Sequence, residues 1–204
     1  MSANYWEPVA VVETVSGQQN VLIRGKQLSQ GIIRISGDID EALADRVISQ
    51  MMYLIGEHKD IRLFVNSRGG SWAAVLSIGD MIRMYRGRVS TYCTGSLSSV
   101  GALILSAAKK GNRYIFPHGN VIINQPRISS GISGSEDELR GYICGLKYEK
   151  GIFLDLLAEH TSQKRSDIEK LITEDCFLTA EDAIDFGLCD KIVESLDFNH
   201  GFND

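Results

Sequence analysis

The sequence lacks the features of nucleic-acid-binding, membrane and secreted proteins. Acidic residues outnumber basic ones, 26 to 21 in 204, so no overall positive charge attracts nucleic acid or an anionic membrane. No apolar run approaches the roughly 20 residues of a membrane helix, and the longest, Val100 to Ala108, already contains glycine and serine. Because Met1 to Val12 shows no basic segment followed by an apolar one, we expect no signal peptide and a cytoplasmic location.

Cysteine pairs, proline and phosphate-binding loops are also scarce or missing. The four cysteines stand 51, 32 and 13 residues apart, too far for a zinc knuckle or a redox pair, and we predict buried free thiols. No Gly-x4-Gly-Lys-Ser/Thr loop is present, so any ATP dependence must come from a partner. We expect no metal and no cofactor. The sequence has only 3 prolines but 20 glycines. Because the glycines are scattered and not clustered, we predict that they form turns within a folded domain.

Hydrophobic periodicity alternates along the first half of the chain between strand-like and helix-like segments. It predicts strands over 31–37, 61–65 and 89–92, and helices between Leu43 and Ile55, between Ala74 and Tyr85 and over 102–109. Asp38 and Asp40 offer oxygens for the N-cap of the first helix. This β-α alternation predicts an α/β domain with a largely parallel sheet and a ligand site at the carboxyl ends of the strands.

The second half continues the same domain without a linker or a repeat. We predict a strand pair at 114–116 and 121–123, a long helix over 136–160, a shorter helix over 166–173 capped by Ser166, and a helix followed by a strand over 180–193.

Two glycine-rich turns lie at the predicted carboxyl ends of strands. In Gly95–Gly101 a serine between glycines precedes an apolar helix, an arrangement that can expose a hydroxyl beside the helix N–H groups. In Ser67–Gly70 the backbone can be approached closely, as one wall of an oxyanion hole requires. Taken alone, the first turn is more typical of packing or capping, and the second fits a simple strand-to-helix turn equally well.

In this order, and together with the segments downstream of them, the two turns resemble the proteolytic subunit of the Clp protease (ClpP), a serine peptidase of the ClpP/crotonase fold. Asn66–Gly70 corresponds to the family's Asn-Ser-Pro-Gly-Gly turn, and Ser98–Ala102 corresponds to its Ala-Ser-Met-Gly-Ala nucleophile turn. Further along, Ile123–Pro126 corresponds to its His-Gln-Pro segment and His160–Leu188 to its C-terminal half.

The resemblance implies one domain over residues 1–204. It implies an axial N-terminal loop at 1–20, a protruding ring-contact handle helix at 136–160 and a tail at 198–204. It further implies heptameric rings, homomeric or mixed, that stack into a tetradecamer, dock an AAA+ unfoldase and receive unfolded polypeptide.

The resemblance also implies a catalytic triad of Ser99, the residue at 124 and Asp175, with the backbone N–H groups of Gly69 and Val100 as oxyanion donors. Position 124 is Asn here, where the family has His. An imidazole accepts a proton near neutral pH and returns it, whereas a carboxamide does neither. Because losing one triad member typically leaves only about 10³ to 10⁴-fold acceleration over water, we expect an impaired site.

No other histidine is a local replacement in the sequence. His118 stands six residues before position 124, about 20 Å along an extended strand. His160 matches a non-catalytic family position, while His58 and His200 fall in a loop and the tail.

Two charged residues also depart from the family pattern. Arg68 replaces the proline of the first turn and places a long cation beside the expected peptide cleft, although a solvated turn residue is the simpler interpretation. Glu174 stands where many family members have an arginine that pairs across stacked rings; reversing that charge disfavours the pairing, by about 0 to 1 kcal/mol per exposed pair.

Two classes of function are compatible with the resemblance. The leading hypothesis is a serine endopeptidase subunit of a self-compartmentalised, ATP-dependent protease, with its own site impaired by Asn124. The alternative is a non-catalytic ring subunit that assembles with an active paralogue. Within the enzyme class, a working peptidase that uses a water or a neighbouring subunit's residue as the base competes with the impaired one. A crotonase-type acyl-CoA enzyme is a more distant alternative.

Overall fold

The computed structural model describes residues 8–15, 17–57, 59–98, 100–127 and 131–195. Within these ranges the strands β1 to β9 are Val9–Thr14, Gly17–Leu22, Ile32–Ser36, Ile61–Ser67, Val89–Ser98, Arg113–Ile115, Asn120–Ile123, Cys176–Leu178 and Lys191–Ile192. The helices α1 to α7 are Ile23–Ser29, Glu41–Gly56, Trp72–Met84, Gly101–Ser106, Glu136–Thr161, Arg165–Leu171 and Ala180–Phe186. The expected tail at 198–204 lies outside the described residues.

The predicted α/β architecture with a largely parallel sheet is confirmed. Strands β3, β4, β5, β6 and β9 are hydrogen-bonded in that order, and all of these pairs are parallel. Strand β7 runs parallel to the second half of β5 and pairs antiparallel with β8. The antiparallel hairpin β1–β2 lies apart from this sheet and includes part of the expected axial loop.

Helices α2 and α3 form where side-chain caps precede an apolar face. The carboxylate of Asp40 accepts the backbone N–H of Leu43 at 2.7 Å and starts α2, whereas Asp38 is not the cap. The Ser71 hydroxyl accepts from Ala74 and starts α3. Each helix buries one apolar face in the core, and burial stabilises the fold by about 25 cal/mol per Å² of apolar surface. The buried residues of the two helices are Ala44, Val47, Met51, Leu54, Ala74, Val75, Ile78 and Ile82.

The structure corrects several boundaries predicted from the pattern. Strand β5 continues to Ser98, through the first part of the segment predicted as a turn, because its second half gains a new partner in β7. Strands β6 and β7 do not pair with each other; each pairs with a different half of β5. Helix α6 begins one residue earlier than predicted, with Lys164 rather than Ser166 at its N-cap. Strand β8 and helix α1 were not predicted.

The long helix α5 matches its predicted range. A capping box starts it: the Ser135 hydroxyl accepts the N–H of Glu138, while the Glu138 carboxylate accepts the N–H of Ser135. The C-terminal part packs into the core through Phe153 and Leu157. The N-terminal part is largely exposed, so α5 protrudes from the domain.

The prediction of buried thiols holds for two of the four cysteines. Cys93 and Cys189 are buried, Cys176 is half-buried, and Cys144 is exposed on the protruding part of α5. In the part of the chain that the structure describes, no group of three or more His, Cys, Asp or Glu side chains could hold a metal ion. None of the described helices is long and apolar enough to cross a membrane.

Candidate active site

Four neighbouring strands bring those residues predicted for the site that the structure describes to one edge of the sheet. Strands β4, β5 and β7 are parallel and end at this edge, where the antiparallel β8 begins. The register pairs nearest the edge are Ser67–Leu97, Ser98–Ile122 and Ile123–Cys176. Because the next residues after the last pair are Asn124 and Asp175, the antiparallel register sets these two opposite each other.

Asn124 and Asp175 are joined by a hydrogen bond. The Asn124 side chain is 7% exposed, and its Nδ2 donates to Oδ1 of Asp175 at 3.1 Å. The other end of the carboxamide, Oδ1, is buried without a hydrogen-bond partner among the described residues. An unpaired buried acceptor generally costs about 1–3 kcal/mol. The reverse orientation would place Oδ1 against the Asp175 carboxylate, where two acceptors cannot form a hydrogen bond.

The Asn124–Asp175 bond reproduces one half of a triad. Nδ2 of asparagine and Nδ1 of histidine are both attached to Cγ, so a histidine at 124 in the same rotamer would present its Nδ1–H to Asp175. Such a bond from a histidine would orient its imidazole in the way that a catalytic triad requires. The proton-accepting atom, Nε2, has no counterpart in asparagine, and the Oδ1 of an amide is far too weak a base to take a serine proton at neutral pH.

The turn that carries the predicted nucleophile is fixed on both sides. Ser99 itself lies outside the described residues. On one side, the hydroxyl of Ser98 donates to the backbone carbonyl of Arg68 at 2.8 Å. On the other side Val100, 5% exposed, is the N-cap of α4. The first N–H groups of a helix have no intrahelical acceptor, which agrees with the role predicted for the Val100 N–H.

The other predicted oxyanion donor, Gly69, is held inside its own turn. Its N–H donates to the Ser67 hydroxyl at 3.0 Å, and that hydroxyl donates in turn to the Gly69 carbonyl at 3.1 Å. Gly69 has a φ of 102°, a value that favours glycine. A Cβ at Gly101 would lie 3.6 Å from the Gly69 nitrogen, so the two turns are in contact. Gly69 can donate to a bound oxyanion only by sharing or releasing its bond to Ser67.

Comparison with known proteins shows which family this chain resembles. The family model for Clp protease matches residues 15–196. The ATP-dependent Clp protease proteolytic subunit 1 of Chlamydia felis is 40% identical over 193 residues, covering 92% of this chain and 93% of that protein. Subunits named ATP-dependent Clp protease proteolytic subunit 2 are 40% identical in Chlamydia abortus, with 92% of each chain covered, and 39% identical in Chlamydia trachomatis serovar D, with 92% and 93% covered.

The chain belongs to the Clp protease family. The matched span includes every residue that the sequence predicts for the site. The Clp protease resemblance stated from the sequence motifs is therefore confirmed, while the individual roles of Ser99, Asn124, Asp175, Gly69 and Val100 stay predictions.

In this Clp protease homologue, small polar residues that sequence reasoning missed connect the two turns. Asn66 accepts the backbone N–H of Ser96 through its Oδ1 at 3.1 Å. A Cβ at Gly95 would lie 2.8 Å from that same oxygen, so the glycine leaves room for the carboxamide. Together with the Ser98 bond to Arg68, this contact fixes the end of β5 against the end of β4. A Ser or Asn at a strand end has no distinctive sequence signal, so only the register reveals these roles.

Neither of the described histidines replaces the missing base. His118 lies in the connection before β7, at the opposite end of that strand from Asn124. His160 accepts at Nε2 from Nη1 of Arg83, so its Nδ1 carries the proton and faces the hydroxyl of Ser106. Burial, and then the charge of Arg83, lowers the pKa of His160 to about 4. His58 and His200 lie outside the described residues.

The nearby thiols are poor substitutes for the predicted nucleophile. Burial, and then the Asp182 charge, raises the pKa of Cys176, which follows Asp175. Burial raises the pKa of Cys93 on β5 to about 11. Both groups therefore remain protonated thiols at neutral pH, in which form sulfur is a weak nucleophile.

Proposed function

We propose that the chain is a serine-peptidase-type subunit of an ATP-dependent Clp protease whose own active site is impaired. Family membership supports assembly into an oligomeric ring that works with an ATPase and acts on polypeptide. The impairment rests on one observation, the side-chain amide of Asn124 bonded to Asp175 at the position of the base. With no imidazole there, proton transfer to and from the hydroxyl of Ser99 lacks its carrier, and we place Gly69 and Val100 as the remaining oxyanion donors.

The protruding helix supports the ring assembly. Three large side chains on the N-terminal part of α5 are strongly exposed: Tyr142 at 52%, Ile143 at 50% and Tyr148 at 70%. Large apolar groups exposed along one segment favour a protein contact. We therefore assign α5 over 136–160 to contacts between stacked rings, with heptameric rings forming a tetradecamer and an AAA+ unfoldase as the partner. A cytoplasmic location belongs to the same proposal.

A non-catalytic structural subunit is the second candidate. It would complete mixed rings with an active paralogue and affect gating or docking of the ATPase. Asn124 favours it, because its Oδ1 has no hydrogen-bond partner among the described residues and a carboxamide does not carry a proton at neutral pH. The presence of Ser98, Val100 and Asp175 around the site favours the first candidate, a serine peptidase subunit that lacks only its base.

The decisive experiment compares the unaltered chain with Asn124→His. Hydrolysis of a fluorogenic peptide and labelling by a fluorophosphonate are measured for both chains, with Ser99→Ala in the Asn124→His background as the control for background labelling. We expect the unaltered chain to show little of either reaction. Asn124→His should raise hydrolysis by about 10² to 10⁴-fold, the usual contribution of general acid–base catalysis.

Three results would decide among the alternatives. Labelling of the unaltered chain at the rate of an active serine peptidase contradicts the impaired site and favours a base from water or a neighbouring subunit. An Asn124→His chain that stays inert although it forms rings favours the structural subunit. A monomer at micromolar concentration, by native mass spectrometry, contradicts ring assembly of this chain alone.

A further inference from the structure

Arg68 occupies a defined place beside the candidate site. It is the first residue after β4, on the edge where the parallel strands end. Across this edge, β4 is followed by β5, which ends at Ser98, then by β7 with Asn124 and by β8 with Asp175. Arg68 therefore lies on the opposite side of the nucleophile turn from the Asn124–Asp175 pair.

The backbone at Arg68 is held while its side chain is left free. Its carbonyl accepts the hydroxyl of Ser98, the residue immediately before the predicted nucleophile. The next residue, Gly69, is fixed by Ser67 and also accepts the N–H of Ile39 at 2.9 Å. The Arg68 residue is exposed, and among the described residues its guanidinium has no ion pair or hydrogen bond.

Charges of opposite sign lie on the two sides of the turn. On the β8 side Glu174 and Asp175 are exposed, and neither forms an ion pair within the described part of the chain. Arg68 supplies a positive charge on the β4 side. An extended segment lying along this edge meets a cation at one end and carboxylates at the other. A planar guanidinium with several N–H donors is well suited to bind a carboxylate side chain.

We propose that Arg68 makes this edge of the sheet selective for polypeptide segments with an acidic side chain on the β4 side of the site. The inference rests on the proposed function, because it assumes that the edge binds polypeptide. It adds the class of segment preferred. The preference concerns binding, so it operates whether or not Asn124 allows cleavage.

The test measures binding with three fluorescein-labelled decapeptides that differ only in two central residues, both Asp, both Gln or both Lys. Fluorescence anisotropy is recorded with the assembled protein at low salt and at 0.5 M NaCl. We expect the Asp peptide to bind about 3-fold more tightly than the Gln peptide, the effect of one exposed ion pair to Arg68. The Lys peptide, which Glu174 and Asp175 can attract instead, is the charge-reversed comparison, and its affinity should not fall when Arg68 is replaced. The differences should shrink at high salt because the charges are screened.

Matched variants separate Arg68 from general charge. Arg68→Gln should abolish the preference, and Arg68→Lys should retain most of it. Arg86→Gln is the control, since Arg86 is also exposed but precedes β5 at the opposite edge of the sheet; it should leave the preference unchanged.

Three results would overturn the proposal. They are equal affinities for the Asp and Gln peptides, a preference for Asp over Gln that survives Arg68→Gln, and no binding of any peptide. Failure of the proposed function gives a different result, because cleavage of the peptides by the unaltered chain contradicts the impaired site. The charge preference can still be measured in that case, from the anisotropy recorded before cleavage has progressed.

Discussion

Replacing Arg113 with methionine tests how the C-terminal half of the chain is attached to the sheet. Arg113 begins β6 and is 2% exposed. Its Nε and Nη2 donate to the two carboxylate oxygens of Asp190, while its Nη1 donates to the carbonyls of His160 and Gly187 at 2.9 and 2.8 Å. One side chain thus connects β6 with the ends of α5 and α7 and with the residue before β9.

The size of the effect depends on the groups that Arg113→Met leaves unpaired. Asp190 is 11% exposed. Burial by itself raises the pKa of its carboxyl, but bonds from Arg113 and from the backbone N–H groups of Gly111 and Arg113 outweigh it and hold the pKa below its ordinary range. Without the guanidinium, two carbonyls lose this partner, and the buried carboxylate loses its counter-charge and keeps only the backbone N–H groups of residues 111 and 113. Removing one member of such a pair costs about 3–5 kcal/mol, a large part of the 5–15 kcal/mol typical of a whole domain.

Urea unfolding at pH 7 and fixed protein concentration measures this cost, because assembly makes apparent stability concentration-dependent. We expect Arg113→Met to lower the unfolding free energy by about 4 kcal/mol. Adding Asp190→Asn should recover about 2 kcal/mol, since the unpaired charge is gone. Arg88→Met is the control: its pair with Asp60 is more than half exposed on both sides and should matter by less than about 1 kcal/mol. Equal losses for Arg113→Met and Arg88→Met, or no recovery in the double variant, would refute the reasoning.

Two further predictions concern single residues. The pKa of His160 is about 4 in the folded chain against an ordinary 6.5, so the unfolded chain binds more protons between these values and stability is lost as the pH falls from 6.5 to 4. Because the histidine is partly exposed beside Arg83, we expect it to contribute about 2 kcal/mol of that loss. Unfolding free energies measured from pH 7 to 4 should fall less for His160→Gln than for the unaltered chain. The same pH dependence in both chains would contradict the assignment. Gly70 has a φ of 151°, and a Cβ there would lie 2.3 Å from the carbonyl oxygen of Ile39, so Gly70→Ala should cost about 2 kcal/mol or more. Gly141→Ala, in open space on α5, should stabilise slightly; thermal unfolding that ranked the two alanine variants alike would contradict this account of the turn.

Local sequence signals predicted those parts of the fold that depend on neighbouring residues. Apolar periodicity and caps located α2, α3 and α5, because a helix is specified by its own side chains and the face they bury. The change of partner along β5 and the short strand β8 escaped prediction, since both depend on pairing with residues far away in sequence. The predicted cap at Ser166 was wrong although it rested on a local signal. Serine is a good capping residue, but α6 begins at Arg165, so Ser166 lies inside the helix.

The candidate site was predictable only in part from the same information. The motifs placed Asn124 and Asp175 among the candidates, and the register of β7 with β8 sets them together. Nothing in the sequence showed that the Gly69 N–H is engaged by Ser67, or that Oδ1 of Asn124 lacks a partner among the described residues. Such details depend on the orientation of single polar groups, which the type and order of residues do not specify.

The division of β5 between two partners has a mechanical consequence. Its first half is held by β6 in the main sheet, while the arm formed by β7 and β8 is attached to the sheet through pairing with residues 96–98. A local separation of this arm would carry Asn124 and Asp175 away together, with the bond between them intact, and would leave the serine turn behind on the sheet. The predicted site is thus divided between the main sheet and this arm, and a force applied to the arm would move Asn124 and Asp175 together away from Ser98 and Val100.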